Sequence, residues 1–309
     1  MTDLVYLSRQ EVADLLPAVL EQIDICERTY RAMAAGRVEL PPKPGIHPRE
    51  EAFIHAMPAF LADTDVASIK WVAGYPANKA LGLPYISGLI IVNDAETGFP
   101  AAVLDAAEIT AARTAAASGV CIRRWAPEGW SRAAIVGCGE QGRYHSRVVA
   151  ALNPEAVIRA YDVHSYRAAE LDGRVAAAPT PREAVDGAEV VITAIPITEK
   201  PDPQVSSEWL GDRYLALPLD FDASIQVGPI ADAGLFASDD IGQFEYYRSR
   251  GHFRGWPEPH ASVGEALDRK RRPKRVACCN LGVGALDAAF AHVVVKRARA
   301  AGIGIRLPR

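Results

Sequence analysis

The chain has 309 residues, 49% of them hydrophobic and 23% charged, with a formal net charge of −4. That length fits one large or two modest domains at roughly 150 residues each. The balance excludes a disordered, collagenous or coiled-coil chain, and the acidic sign argues against a protein that binds by neutralising nucleic-acid phosphates. The exception is the basic run Arg269–Lys270–Arg271–Arg272 with Lys274 and Arg275, read as a solvated loop because Pro273 interrupts it. Five cysteines without a CxxC pair do not form a disulfide framework, and Cys278 and Cys279 read as small buried residues of a strand. The start lacks a signal peptide and no run reaches a membrane span, so a cytoplasmic protein that does not engage membranes is expected.

In chain order, residues 8–35 read as one helical stretch. Ser8 and Glu11 have capping-box spacing, and Val12, Leu15, Leu16, Val19, Leu20 and Ile23 recur at helical intervals. The segment Leu40–Gly45 carries three prolines and cannot be helical. Residues 52–104 alternate apolar runs with turn residues and predict strands, with a turn at Thr97–Pro100. Glu108–Trp125 predicts a helix with Arg113 near its start.

From Trp130 the pattern changes. Strands are expected at 133–136, 157–162, 175–178, 188–195, 214–219, 235–237 and 275–279. Helices are expected at 140–152, from Pro181 behind a Thr180 cap, and at 284–301. Alternating strands and helices predict an α/β fold: a Rossmann-type doubly wound parallel sheet domain over 116–284. A discontinuous α+β domain would comprise 1–115 with the returning helix, 285–309.

Three groups of residues carry candidate chemistry. Gly137, Gly139 and Gly142 follow a strand and open a helix, and Asp162 ends the next strand 20 residues later. This spacing suits a tight turn, close approach of a pyrophosphate and a carboxylate on the adenosine ribose, which points to NAD rather than a 2′-phosphorylated dinucleotide. Arg167 is the counter-evidence, since it could accept that phosphate. Lys43, Lys70 and Arg113 are three cations in apolar surroundings that could converge on a substrate carboxylate. The alternative is that the lysines snorkel to solvent and Arg113 bridges to a neighbour. Asp220 stands just past a strand end, where acids of open α/β sheets face ligands, with Asp222 as competitor and a loop or cap role as the alternative. Seven scattered histidines make no HxH or HxxxH pair, so no metal site is expected.

The stretches LPPKPG, HAMPAFL, residues 69–105, TAARTAAASG, VGCGEQGRYH, LALPLD and NLGVGALD together resemble the ornithine cyclodeaminase/mu-crystallin family over nearly the whole chain. The resemblance implies a homodimer whose N-terminal domain binds substrate and dimerises, with nicotinamide meeting substrate in an interdomain cleft. It implies that Lys43, Lys70, Arg113 and Leu281 contact the substrate. Gly137, Gly139, Glu140, Gln141, Gly142, Asp162, Asn280 and also Arg113 would serve the dinucleotide. Asp220 and Lys70 would move protons. The implied activity is NAD(H)-dependent oxidoreduction at the C–N bond of a small imino or amino acid, by an imine reductase or amino acid dehydrogenase. The alternatives are an amino acid cyclodeaminase with recycled NAD, or a non-catalytic cofactor-dependent binding protein. Lys43 stands where the family has arginine, and FDASIQVGP after Asp220 lacks the usual lysine and Glu-Leu, which argues against ornithine itself.

Overall fold

Strand β1 (Leu4–Leu7) leads into helix α1 (Arg9–Leu15), which Ser8 caps: its hydroxyl accepts from the Glu11 amide while the Glu11 carboxylate accepts from the Ser8 amide at 2.8 Å. The structure is a computed structural model and describes residues 3–198, 200–270 and 272–308. The single helix expected over 8–35 is two helices. Pro17 has no amide hydrogen and holds Leu16 extended (ψ 142°), so α1 stops and α2 (Val19–Ala34) starts in a new phase. In that phase Ile23, Cys26 and Tyr30 face inward and Leu20 is exposed, contrary to its place in the sequence pattern.

Next come β2 (Val38–Glu39), β3 (Gly45–Ile46), β4 (Phe53–Leu61), β5 (Val66–Gly74), β6 (Ile86–Asp94), β7 (Pro100–Asp105) and helix α3 (Ala107–Trp125). The β6–β7 turn is closed by Asp94, whose carboxylate accepts from the Thr97 amide at 2.8 Å and its hydroxyl at 2.6 Å. The chain then runs through β8 (Arg132–Val136), α4 (Glu140–Leu152), β9 (Val157–Tyr161), β10 (Arg174–Ala177), α5 (Pro181–Val185), β11 (Val190–Thr193) and β12 (Tyr214–Pro218). It continues as α6 (Val227–Ala231), β13 (Leu235–Ser238), α7 (Ile241–Ser249), β14 (Ala261–Ser262), α8 (Val263–Ala266) and β15 (Arg275–Cys279), and ends in α9 (Gly284–Ala301) and β16 (Ile305–Leu307). Two compact units result: 1–113 with 282–309, and 114–281.

The first unit is built on a mixed sheet in the order β16-β1-β7-β6-β5-β4-β2, with β3 also on β4. The β4–β7 meander is antiparallel and β1 joins β7 in parallel. Helix α9 lies against β4, β5 and β6 and against α1 and α2. Alternation along β5 turns Val66, Ser68, Lys70 and Val72 into the interior. The opposite row includes Trp71 and its cross-strand partner Leu89, exposed by 49% and 42%.

The second unit is a parallel sheet ordered β10-β9-β8-β11-β12-β15-β13-β14. Its central strands are buried along their length and therefore read as near-continuous apolar runs. The order reverses direction beside β8, the topological switch point where open α/β sheets bind ligands. Cys278 and Cys279 are buried free thiols of β15. The basic run is a loop with Arg269, Lys270, Arg272 and Lys274 exposed, and Arg271 lies outside the described residues. Among the described residues no helix is long and apolar enough to cross a membrane, and no cluster of metal-ligating side chains occurs.

Candidate active site

In the first unit, the pleat of β5 directs Lys70 under α9, where water cannot reach it. Its ammonium lies 2.8 Å from Asp287 Oδ2, and Arg113 Nε lies 3.1 Å from Asp287 Oδ1. Lys70 also donates to Thr110 Oγ1 at 3.3 Å. Lys70 and Asp287 are each 1% exposed and Arg113 is 6% exposed. Charges this deep persist only when paired. Here one carboxylate serves two cations. Burial pushes the Lys70 ammonium down to about 7, Arg113 and Lys43 push the same way, and Asp287 opposes them. The snorkelling alternative fails for Lys70. The bridging alternative holds for Arg113, and its partner is Asp287.

Lys43 reaches the same region from the proline-rich loop, donating to the Gly282 carbonyl at 3.3 Å. Gly282 has φ +83°, and a Cβ there would stand 2.6 Å from Arg113 Nη1, so only glycine permits this packing. His55, on the inward row of β4 with Met57, stacks on Phe53 at 4.4 Å. Burial drives its pKa down to about 4, helped by Lys43, His47 and Lys70, so the ring is neutral.

In the second unit, β8 ends at the glycine loop. Gly137 has φ +97°, its amide donates to the Tyr161 carbonyl at 2.8 Å, and a Cβ there would press on the Ala194 carbonyl. Gly139 is the N-cap of α4 and a Cβ on it would meet open space, while Gly142 packs directly on the Gly137 backbone. Glu140 and Gln141 form the first turn of α4, and the buried Gln141 Oε1 has no partner. His145 fixes that turn. One ring nitrogen donates to the Gln141 carbonyl at 2.8 Å, and the other therefore accepts from the Ser118 hydroxyl at 2.9 Å. Burial lowers its pKa to about 4, which keeps the ring in this neutral tautomer. Asp162 accepts from the Cys138 amide at 2.9 Å and the His164 amide at 2.8 Å, with Arg167 Nη1 3.7 Å away. A carboxylate has about four lone-pair sites, so Asp162 retains acceptors for hydroxyl groups.

Asp220 follows β12 and is 1% exposed. Its Oδ1 accepts from Thr193 at 2.7 Å, and its Oδ2 accepts from Ser224 at 2.5 Å and the Ile195 amide at 3.2 Å. Burial raises its pKa to about 6 against these hydrogen bonds. Phe221 beside it has φ +61°, a strained conformation for a bulky residue. The competitor Asp222 is turned elsewhere: it accepts from the Phe253 amide at 2.7 Å and faces His252. Asn280, past β15, contacts Cys121 through its amide nitrogen, and its buried Oδ1 has no partner. The Leu281 amide donates to Asp239 at 2.8 Å.

The structure thus brings Lys43, Lys70 and Arg113 together in one unit. It gathers Gly137, Gly139, Glu140, Gln141, Gly142 and Asp162 at the switch point of the other, with Asp220, Asn280 and Leu281 at strand ends. Asp287 and His55 were not singled out in the sequence. An acid three residues before Phe290 and seven before Val294, in the apolar first turns of the last helix, was the available signal for Asp287. For His55 the signal was alternation with Met57. The open Gly139 cradle at the start of α4 and the unpartnered Gln141 Oε1 and Asn280 Oδ1 fit a dinucleotide.

A model of the ornithine cyclodeaminase/mu-crystallin family matches residues 3–215. The nodulation efficiency protein NfeD of Rhizobium meliloti is 33% identical over 97% of each chain. The alanine dehydrogenase of Archaeoglobus fulgidus is 28% identical over 97% of each. Among solved structures, an archaeal alanine dehydrogenase dimer with bound NAD superposes with a TM-score of 0.87, at 26% identity over 99% of each chain.

Proposed function

The chain belongs to the ornithine cyclodeaminase/mu-crystallin family, and from that premise we propose that it is an NAD(H)-dependent oxidoreductase acting at the C–N bond of a small imino or amino acid. The observation that carries this reading is the buried set of Lys70, Arg113 and Asp287 beside Lys43. Two cations share one carboxylate and a third stands beside them on the Gly282 carbonyl, an excess of positive charge suited to a substrate carboxylate. The likeness to alanine dehydrogenase, including an NAD-bound dimer, supports both the reaction class and the cofactor.

On this reading the first unit binds substrate and the second binds NAD(H). Gly137, Gly139, Glu140, Gln141 and Gly142 hold the pyrophosphate, Asp162 takes the ribose hydroxyls, and Asn280 hydrogen-bonds through its unpartnered oxygen. When bound, the dinucleotide supplies or accepts the hydride at the substrate carbon. Arg113 and Lys43 fix the carboxylate and so orient that carbon. Lys70, poised near neutrality, gives a proton to the nitrogen in the reductive direction and takes one in the oxidative direction. Asp220 is the second proton-handling group, held rigid by three hydrogen bonds and raised to about 6.

The same protein is expected to be a cytoplasmic homodimer. Its buried cysteines are free thiols, and the Trp71 and Leu89 row offers an apolar surface for a second copy. Sedimentation at micromolar concentration tests the dimer, and a lone 33.3 kDa species would overturn it.

The activity is tested with a panel of imines, formed from 2-oxo acids and amines, and of amino acids. NADH absorbance and released ammonia are followed together. Consumption of NADH with an imine, or its formation with an amino acid, is the expected result. Ammonia release without net cofactor change would replace this reading by a cyclodeaminase. Tight ligand binding without either would replace it by a binding protein.

A further inference from the structure

We infer that Asp287 is a positioning residue that sets both the place of Arg113 and the place and charge of Lys70, and so makes the Lys43, Lys70 and Arg113 cluster of the first unit an anion receptor. The inference rests on the proposed reading for what that anion is, and on geometry for everything else.

Three elements distant in sequence meet at this carboxylate: β5 through Lys70, α3 through Arg113 and α9 through Asp287 itself. The two oxygens are divided, Oδ2 to the ammonium and Oδ1 to the guanidinium Nε. Arg113 is therefore gripped at its inner nitrogen, and its two terminal nitrogens can form the planar fork that matches a carboxylate. Gly282, with no side chain, lets the backbone pack against that terminal end, and its carbonyl anchors Lys43. With Lys70 charged, Lys70, Arg113 and Asp287 sum to one positive charge, and a substrate carboxylate neutralises it. With Lys70 uncharged, the three sum to zero.

The groups that act on the Lys70 ammonium are Asp287 from α9, Arg113 from α3 and Lys43 from the proline-rich loop. The neighbouring His55 on β4 is neutral. Of these charged groups only Asp287 favours the charged form. Without it, burial and two cations would leave Lys70 an amine at neutral pH, unable to donate to a developing nitrogen anion.

The test is a titration of Lys70 by NMR in protein labelled with carbon-13 at lysine Cε, the resonance being assigned by its loss in Lys70→Met. Lys70 is expected to titrate near 7 in the parent, and Asp287→Asn is expected to move the midpoint down by about 1–3 units. Asp287→Glu retains the charge and should return the midpoint toward the parent value. An unmoved midpoint in Asp287→Asn overturns the inference.

Kinetics on a substrate found by the panel give the second readout. In Asp287→Asn, KM should rise by at least about tenfold through loss of Arg113 geometry, and the pH limb governed by Lys70 should shift with the NMR midpoint. An unchanged KM and pH profile overturns the inference. Should Asp287→Asn not fold, Asp287→Glu decides. Its carboxylate is displaced by one methylene, so KM should rise while the pH limb stays, and a parental KM would overturn the positioning role. The titration needs no turnover, so absence of any reaction would sink the proposed function and leave this inference standing on its own measurement.

Discussion

Lys70 and Asp220 solve one problem in two ways. Each is a buried ionisable group at the end of a chemically shaped environment, one in each unit, and each is brought toward neutral pH by burial. Lys70 keeps its charge through an ion pair assembled from residues 70, 113 and 287. Asp220 keeps its charge through neutral donors close by in its own unit: Thr193, Ser224 and the Ile195 amide. The ion-pair solution carries surplus positive charge and can receive an anion. The hydrogen-bond solution attracts no anion and instead fixes the carboxylate rigidly, with little capacity left beyond one lone pair on Oδ1. The difference teaches that the first site recognises a charged ligand, while the second offers a proton-transfer group of fixed orientation.

The largest expected effects separate these roles. Lys70→Met and Asp220→Asn should each lower kcat by roughly 100-fold or more, the usual range for loss of a positioned acid or base. They should differ in KM, which rises for Lys70→Met and stays within a few-fold for Asp220→Asn. Asp222→Asn, whose parent carboxylate is turned to Phe253 and His252, is the control. If Asp222→Asn loses activity and Asp220→Asn keeps it, the wrong acid has been assigned. Arg113→Ala should raise KM by at least about tenfold, since charge-assisted hydrogen bonds contribute about 1.5–3 kcal/mol. An Arg113→Ala enzyme with parental KM would remove the carboxylate from this site.

A comparable effect is expected at the dinucleotide end. Asp162 holds the Cys138 and His164 amides and lies 3.7 Å from Arg167. Its charge would repel a 2′-phosphate, so NADH should be preferred over NADPH. Asp162→Asn should shift the ratio of kcat/KM toward NADPH by about tenfold, the scale of a single charge repulsion near a surface. A parent enzyme preferring NADPH tenfold would mean that Arg167, not Asp162, reads the ribose.

Much of this was legible in the sequence, and the reason differs by residue. The glycine loop and Asp162 are local, since strand, turn, helix and acid lie within one βαβ unit and their spacing follows from its geometry. The parallel strands were legible because burial on both faces leaves apolar runs. Lys43, Lys70 and Arg113 could be named as cations in apolar surroundings, yet the partner that Lys70 and Arg113 share could not. Asp287 meets Lys70 and Arg113 only through the return of α9 across the sheet, a long-range contact that no local pattern encodes. The break at Pro17 was written in the sequence and was outweighed by periodicity on either side. Leu20 is the residue that periodicity put on the wrong face.

The smallest effect is on stability, and it tests the comparison through opposite signs. In the folded protein Lys70 titrates near 7, against 10.5 for a free side chain. Between these values the unfolded chain binds a proton that the folded chain does not, so stability rises as pH increases from about 7 to 10.5, and the full cost of burying the charge is present below 7. Asp220 titrates near 6 against 3.8. Between those values the folded chain holds the extra proton, so stability falls as pH increases from about 4 to 6, with the full cost present above 6. Melting temperatures of Lys70→Met and Asp220→Asn, each referred to the parent in the same buffers, isolate the two groups from other titrations. Lys70→Met should lack the rise above pH 7 and Asp220→Asn the fall below pH 6, each kcal/mol appearing as about 2–4 °C. A Lys70→Met protein that still shows the parental rise would mean that Lys70 does not titrate near neutrality. The ion-pair half of the comparison would then fail, and Asp220 alone would be left to move protons.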